Sequence, residues 1–152
     1  MGSSREENIR RIVREMFEVS NPPAGEDRTD QDGAPLRLKR VASDYFSPDV
    51  RIIVPGHGPQ AFDGGKEDYF QHHIKRMGGR QDKLTLELLD ILIGEKYAAG
   101  VVRYRDEING KAFSWLRINR FIFNEDATRV IECRVFEHDQ HGVDAWYASY
   151  MS

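Results

Sequence analysis

The sequence holds one cysteine, Cys133, in 152 residues. No disulfide can form within the chain, so burial and hydrogen bonding must hold the fold, and a reducing, cytoplasmic setting is expected. No stretch approaches the roughly 18 consecutive apolar residues that a transmembrane helix needs. The charged N-terminal residues are not followed by an apolar stretch, so no secretory leader is expected. An excess of one charge is also missing: 22 Lys and Arg face 25 Asp and Glu, for a formal net charge of −3. Without a basic block, neither nucleic acid nor a membrane is an expected partner. Internal repeats and low-complexity tracts are absent as well.

What is present is a core. Hydrophobic residues make up 39% of the chain and aromatic residues 11%, enough at this length for one folded domain over residues 1–152 without metal or disulfide support. Ser4 followed by Glu7 reads as a capping box. Ile9, Ile12, Val13, Met16 and Phe17 then recur at helical spacing, up to Asn21-Pro22-Pro23. Residues 20–35, rich in Pro, Gly and polar side chains, read as a flexible insertion. A second helix presents Leu38, Val41, Ala42, Tyr45 and Phe46, and Val50–Val54 reads as a short strand. A third helix over residues 66–77 places Tyr69, Phe70, His73, Ile74 and Met77 on one face, with His72 pointing away, and Gly78-Gly79 stops it.

Four long strands follow, at 83–93, 96–108, 111–123 and 129–136. The apolar alternation slips at Leu88-Leu89, which suggests a bulge. Asn109-Gly110 is the strongest hairpin signal in the chain. Val143, Trp146, Tyr147 and Tyr150 suggest a closing helix. Helices grouped beside a mostly antiparallel sheet make an α+β domain.

The hairpin sets register. With Asn109 and Gly110 in the turn, Tyr104 lies opposite Trp115, Val102 opposite Arg117, Gly100 opposite Asn119 and Ala98 opposite Phe121. If Phe123 pairs with Arg129, Phe121 faces Ile131, Asn119 faces Cys133, Arg117 faces Val135 and Trp115 faces Glu137. The shared face is apolar, with space beside the small Gly100 and Ala98. Arg117, Asn119 and Glu137 are its polar exceptions, the composition of a small-ligand pocket.

Three segments carry a family resemblance. "ENIRRIVREMFEVSN", "SDYFSPDVRIIVPG" and "RFIFNEDATRVIECRVFEHDQHGVDAWY" resemble, in order, the first helix, the second helix with the first strand, and the closing hairpin of the nuclear transport factor 2-like superfamily. Within it the chain is similar to SnoaL-like domains related to polyketide cyclases and ketosteroid isomerases. The resemblance implies a cone-shaped cystatin-like roll: a curved, mostly antiparallel sheet packed by three helices from the N-terminal half and enclosing a pocket. Ketosteroid isomerases use an aspartate base with a tyrosine and an aspartic acid as oxyanion hole. By the resemblance these positions are occupied here by Val54, Met16 and Asn119. The acid/base aspartate and the histidine of the polyketide cyclases fall at Val135 and Asn119. Neither mechanism transfers intact.

The catalytic candidates are therefore His57, Asn119 and Glu137. His57, in the loop "PGHGPQ" by the expected pocket mouth, could be a general acid or base. Its flanking glycines could let the loop close as a lid; an exposed turn residue is the alternative. Asn119 could hold a ligand carbonyl, and Glu137 could be a base unless it is paired with Arg117. Met16, Val54, Tyr104, Trp115, Arg117, Phe121, Cys133 and Val135 are the expected ligand-binding residues, with Cys133 a small apolar filler. His73 reads as a packed helix residue. His138 and His141 lack the convergent ligands of a metal site, and no metal or other cofactor is expected.

Three readings follow. The chain binds a small hydrophobic, ring-containing molecule in the cone. Alternatively it is a cofactor-independent isomerase, cyclase or dehydratase, with Glu137 and His57 as acid and base and Asn119 polarising an oxygen. Otherwise it is an interaction or scaffold domain with a filled pocket. An apolar outer sheet face, carrying Val101, Leu116, Ile118, Ile122 and Phe136, leads to the expectation of a homodimer.

Overall fold

The computed structural model describes residues 4–21, 28–31, 34–77 and 83–149. Helix α1 (Arg5–Val19) starts where the cap is encoded: Ser4 is extended, and its hydroxyl accepts the Glu7 N–H at 3.1 Å. Glu6 and Glu7 sit in the first turn, where the helix dipole favours negative charge. Ile9, Ile12, Val13, Met16 and Phe17 are buried, as their spacing requires. Helix α2 (Leu36–Tyr45) runs directly into strand β1 (Phe46–Val54), so Phe46 belongs to the strand and not to the helix. A short strand, β2 (Phe62–Gly64), pairs antiparallel with β1, Val54 opposite Phe62. Sequence analysis misses β2 because so short a segment carries no measurable alternation. Helix α3 (Lys66–Met77) spans the expected residues; Gly78-Gly79 lie outside the described residues.

Strands β3 (Thr85–Ile93), β4 (Tyr97–Ile108), β5 (Lys111–Phe123) and β6 (Val130–Glu137) complete a sheet of order β2-β1-β6-β5-β4-β3. The β1–β6 pair is parallel and the others are antiparallel. The slip near Leu88 is a register shift between Leu88 and Asp90. Asn109 and Gly110 both adopt positive φ, 52° and 80°, as a two-residue hairpin turn with the right twist demands. The β4–β5 pairs are accordingly the expected ones, from Tyr104–Trp115 to Ala98–Phe121.

The β5–β6 register differs from expectation. Phe123 faces Val130, Phe121 faces Cys133, Asn119 faces Val135 and Arg117 faces Glu137, with an irregularity next to Ile122. The intervening turn is built on Asn124, whose side-chain oxygen accepts the N–H groups of both Thr128 and Arg129 at 2.9 Å. A bulge at Ile131 then absorbs one residue, and Ile131 turns outward, 39% exposed. Cys133, Val135 and Glu137 keep the expected face because the net displacement is even.

Helix α1 packs on β3 and β4, α2 on α1 and β1, and α3 on β1 and β2. Gly100 does not leave space as expected. A Cβ there would come within 3.0 Å of Phe17 and 3.3 Å of Leu88, so the position lets α1 approach the sheet. Helix α4 (Gln140–Ala148) is capped by Asp139, which accepts the Gly142 N–H at 2.9 Å, and buries Val143 completely. Tyr150 lies outside the described residues.

Of the expected flexible insertion, residues 22–27 and 32–33 lie outside the described residues. The remainder is tied down. Asp30 N–H donates to Ala34 at 2.9 Å, Thr29 bridges Pro35, and Arg28 donates to the Leu84 carbonyl. Among the described residues no helix is long and apolar enough to cross a membrane. The architecture is α+β and cone-like, with helices on a mostly antiparallel sheet.

Candidate functional site

The inner face of the sheet and helices α1 to α3 enclose a cavity of about 120 Å³. Met16, Val54, Tyr104, Arg117, Asn119, Phe121, Cys133 and Val135 all line it, so the structure brings together eight of the sequence-derived candidates. Positions from α1, β1, β4, β5 and β6 converge because each lies on the buried face of its own element. Most of the wall is apolar. Among its polar groups, Tyr104, Arg117 and Asn119 lie on adjacent rows of β4 and β5.

Trp115 is not part of the wall. It is buried next to it, stacked on Phe113 at 5.3 Å and edge-on to Tyr147 at 6.1 Å. Helix α4 brings Tyr147 over this end of the sheet, so Trp115 supports the cavity instead of plugging it.

Glu137 stands directly opposite Arg117 and takes its Nε–H, with the Glu137 side chain fully buried. Burial pushes the Glu137 carboxyl up, while Arg117 and the Trp115 indole pull it back; burial prevails. The Trp115 Nε1–H has no acceptor at full hydrogen-bond geometry, so it acts on Glu137 as a nearby dipole. Burial opposes the Arg117 charge, but Tyr104 and Glu137 outweigh it and hold the guanidinium protonated. The guanidinium lies 4.6 Å over the Tyr104 ring and 5.7 Å from that of Trp115. Glu137 does not line the cavity, so its carboxylate orients Arg117 and is not placed to take a proton from a ligand.

Asn119 donates its amide N–H to the Tyr104 hydroxyl at 3.0 Å. Burial raises the Tyr104 hydroxyl above its usual value, and that of Tyr69 to about 12. Both are therefore neutral donors at physiological pH. Burial also pushes the Cys133 thiol up to about 12, which leaves it a small apolar wall residue and not a nucleophile.

His57 is exposed and does not line the cavity. Its part in the structure is its backbone N–H, which donates to Asp144 Oδ2 at 3.2 Å. Asp144, on α4, also accepts the Gly58 N–H at 3.1 Å, Gln60 Nε2 at 2.6 Å and Gln140 Nε2 at 3.0 Å. These hydrogen bonds, opposed by burial, hold its carboxyl below the usual range. Gly56 takes φ +114°, and a Cβ there would collide with Gln140 and Asp144. The glycines of "PGHGPQ" thus serve close packing of the loop on α4, and the loop delivers Gln60 to the cavity wall in place of His57.

Sequence reasoning also misplaces His72. It lines the cavity with its ring 5.1 Å from that of Phe62, because the unforeseen β2 covers that flank of α3. His73 bonds the Tyr69 hydroxyl at 3.1 Å on the same wall. Arg37, unremarked in the sequence, lines the cavity as well. Its one signal was its position one turn before Val41, on the apolar face of α2. His138 and His141 are exposed, and among the described residues no group of three or more His, Cys, Asp or Glu is arranged to hold a metal.

No protein-family model matches the sequence, and no curated protein matches it. Solved structures do match. Bal32a, from a soil-derived mobile gene cassette, superposes with a TM-score of 0.73 at 20% identity, covering 95% of this chain and 99% of its own. A structure described as a SnoaL-like polyketide cyclase, from Jannaschia sp., gives 0.66 at 16% identity, with 97% of each chain covered. SalBIII, an epoxide hydrolase/cyclase-like enzyme of pyran ring formation in the polyether salinomycin, gives 0.56 at 16% identity, covering 87% of this chain and 92% of its own. The fold is nuclear transport factor 2-like.

The two roles in the loop separate by substitution. Gly56→Ala is expected to lower the unfolding free energy by about 1–3 kcal/mol in urea titrations, and His57→Ala to change it by less than about 0.5 kcal/mol. A His57 effect as large as that of Gly56 would assign the side chain a role the geometry does not give it.

Proposed function

We propose that this chain binds a small, mainly apolar molecule of about one ring in size inside the cone. The observation that carries this reading is the cavity itself: a mostly apolar lining in which Arg117, Asn119 and Tyr104 lie together on adjacent rows of β4 and β5. A few fixed polar groups in an apolar concavity are the usual means of orienting a ligand. At about 120 Å³ the cavity is near the ~150 Å³ that accepts benzene and below the ~300 Å³ where drug-sized sites begin. That favours single-ring compounds over polycyclic ones. In a thermal-shift panel of monocyclic, polycyclic and polar metabolites, a ligand at 100 times its dissociation constant should add about 2.7 kcal/mol of stability, and monocyclic compounds should give the shifts. No shift from any class would favour the cone as an interaction module.

A second reading, a cofactor-independent isomerase, cyclase or dehydratase, is favoured by the His73–Tyr69 pair on the cavity wall and by the cyclase-related structural neighbours. With Glu137 turned toward Arg117, His73 is the better placed proton-transfer group. On a compound that is turned over, His73→Gln should slow the rate by about 10²–10⁴-fold. A change within about twofold would remove His73 from the chemistry.

The outer sheet face supports a homodimer. Phe136, Ile118 and Val101 form one row across β6, β5 and β4, with Tyr97 and Leu92 nearby at 46% and 51% exposed. An apolar row of this kind is best covered by a second copy of itself. Sedimentation should show a dimer at micromolar concentration, and a monomer there would end this proposal.

A further inference from the structure

The group of Arg117, Asn119 and Tyr104 in the cavity lining has hydrogen-bonding capacity that the protein does not use. Arg117 is buried, at 8% exposure, and lines the cavity. Among the described residues only its Nε–H finds an acceptor, the Glu137 carboxylate. The Nη1 and Nη2 hydrogens, four of the guanidinium's five donors, have no acceptor among the described residues. The Tyr104 hydroxyl oxygen accepts from Asn119 Nδ2 at 3.0 Å, which leaves its own hydrogen without an acceptor among the described residues. The Tyr104 ring lies against the guanidinium and fixes its plane. Arg37 adds a second positive side chain to the same wall. The Glu137 carboxylate meets Arg117 at the Nε edge and stays behind the wall, so the surface Arg117 and Tyr104 turn inward is one of donors and positive charge.

We propose that the ligand is a monocarboxylate with a carbon skeleton of about one ring, its two oxygens held by the Arg117 Nη groups and the Tyr104 hydroxyl, and its ring against Phe121, Leu86 and Val135. The proposal rests on the binding reading above and names the class of ligand. A planar carboxylate matches the guanidinium fork with two charge-assisted hydrogen bonds. A neutral carbonyl, with one oxygen, leaves part of the buried cation unmet, which is the expensive outcome for a desolvated donor. Burial keeps the nearby tyrosine hydroxyls protonated, so none of them competes as an anion.

The test is calorimetric titration of the full chain at pH 7 with benzoate and cyclohexanecarboxylate, against benzamide, methyl benzoate and benzyl alcohol. The carboxylates should bind at least about tenfold more tightly than the neutral analogues. Arg117→Lys keeps a charge for Glu137 but lacks the fork, and should abolish that preference while neutral binding persists. Neutral probes that bind as tightly as the acids would overturn the carboxylate and leave the binding cavity standing. A preference for acids that survives Arg117→Lys would place the anion elsewhere and overturn it too. No binding by any probe at millimolar concentration would overturn both this proposal and the one-ring reading of the cavity. Should the lysine variant not fold, the comparison of acid with amide on the unaltered chain decides alone.

Discussion

A guanidinium taken out of water into an apolar cone is destabilising by several kcal/mol unless a counter-charge and hydrogen bonds meet it. Arg117 is met on one side, by Glu137 through Nε, and is covered by the Tyr104 and Trp115 rings. The pairing depends on register. Only because the turn at Asn124 and the bulge at Ile131 each displace β6 by one residue does Glu137 come opposite Arg117, where the register expected from the sequence puts Val135. The bulge, the pair and the aromatic cover are therefore one arrangement. It holds the guanidinium at the cavity wall by its Nε edge, and Glu137 is used up as a partner in doing so.

The second long-range constraint is Asp144. One carboxylate gathers two backbone N–H groups and two amide side chains, joining α4 to the loop that follows β1. That joint holds α4 and its Tyr147 at the cavity wall and sets Gln60 there as well. A loop tethered in this way is not free to open as a lid, and the glycines in it are the mark of close approach between loop and helix. The lining of the cavity is mostly apolar, and Arg117, Asn119 and Tyr104 lie together in it, with Arg37, Gln60, Tyr69, His72 and His73 as its further polar groups. A few fixed polar groups in an apolar lining, not any single residue, are what favours an oriented ligand over a passive filler.

Much of the frame was legible in the chain. The Ser4 cap, the stripe on α1, the span of α3 and the Asn109-Gly110 hairpin are signals between residues a few positions apart, and each led to the element or register observed. From that register, with period-two alternation, came the membership of the inner face, including Arg117, Asn119 and Phe121. The β5–β6 turn was misjudged because its geometry hangs on the side chain of Asn124. The short β2 has no pattern of its own, and it is Phe62 on β2 that gives the His72 face of α3 a partner. Trp115 was on the correct face, yet that face extends beyond the cavity under α4.

The sequence by itself determined which residues lie on the buried side of each strand and helix, since helical and strand periodicity are local properties of the backbone. It also determined that the sheet has an apolar outer row, and that no disulfide can brace the chain. Only the tertiary structure decided which of the inward residues bound the same space and which carboxylate neutralises which cation. It alone showed that His57 serves through its backbone while Gln60 reaches the wall. Those outcomes depend on contacts between distant segments, such as His57 with Asp144 across 87 positions. Electrostatic pairing and cavity shape follow from distance in space, which a bulge of one residue or a strand of three can redirect.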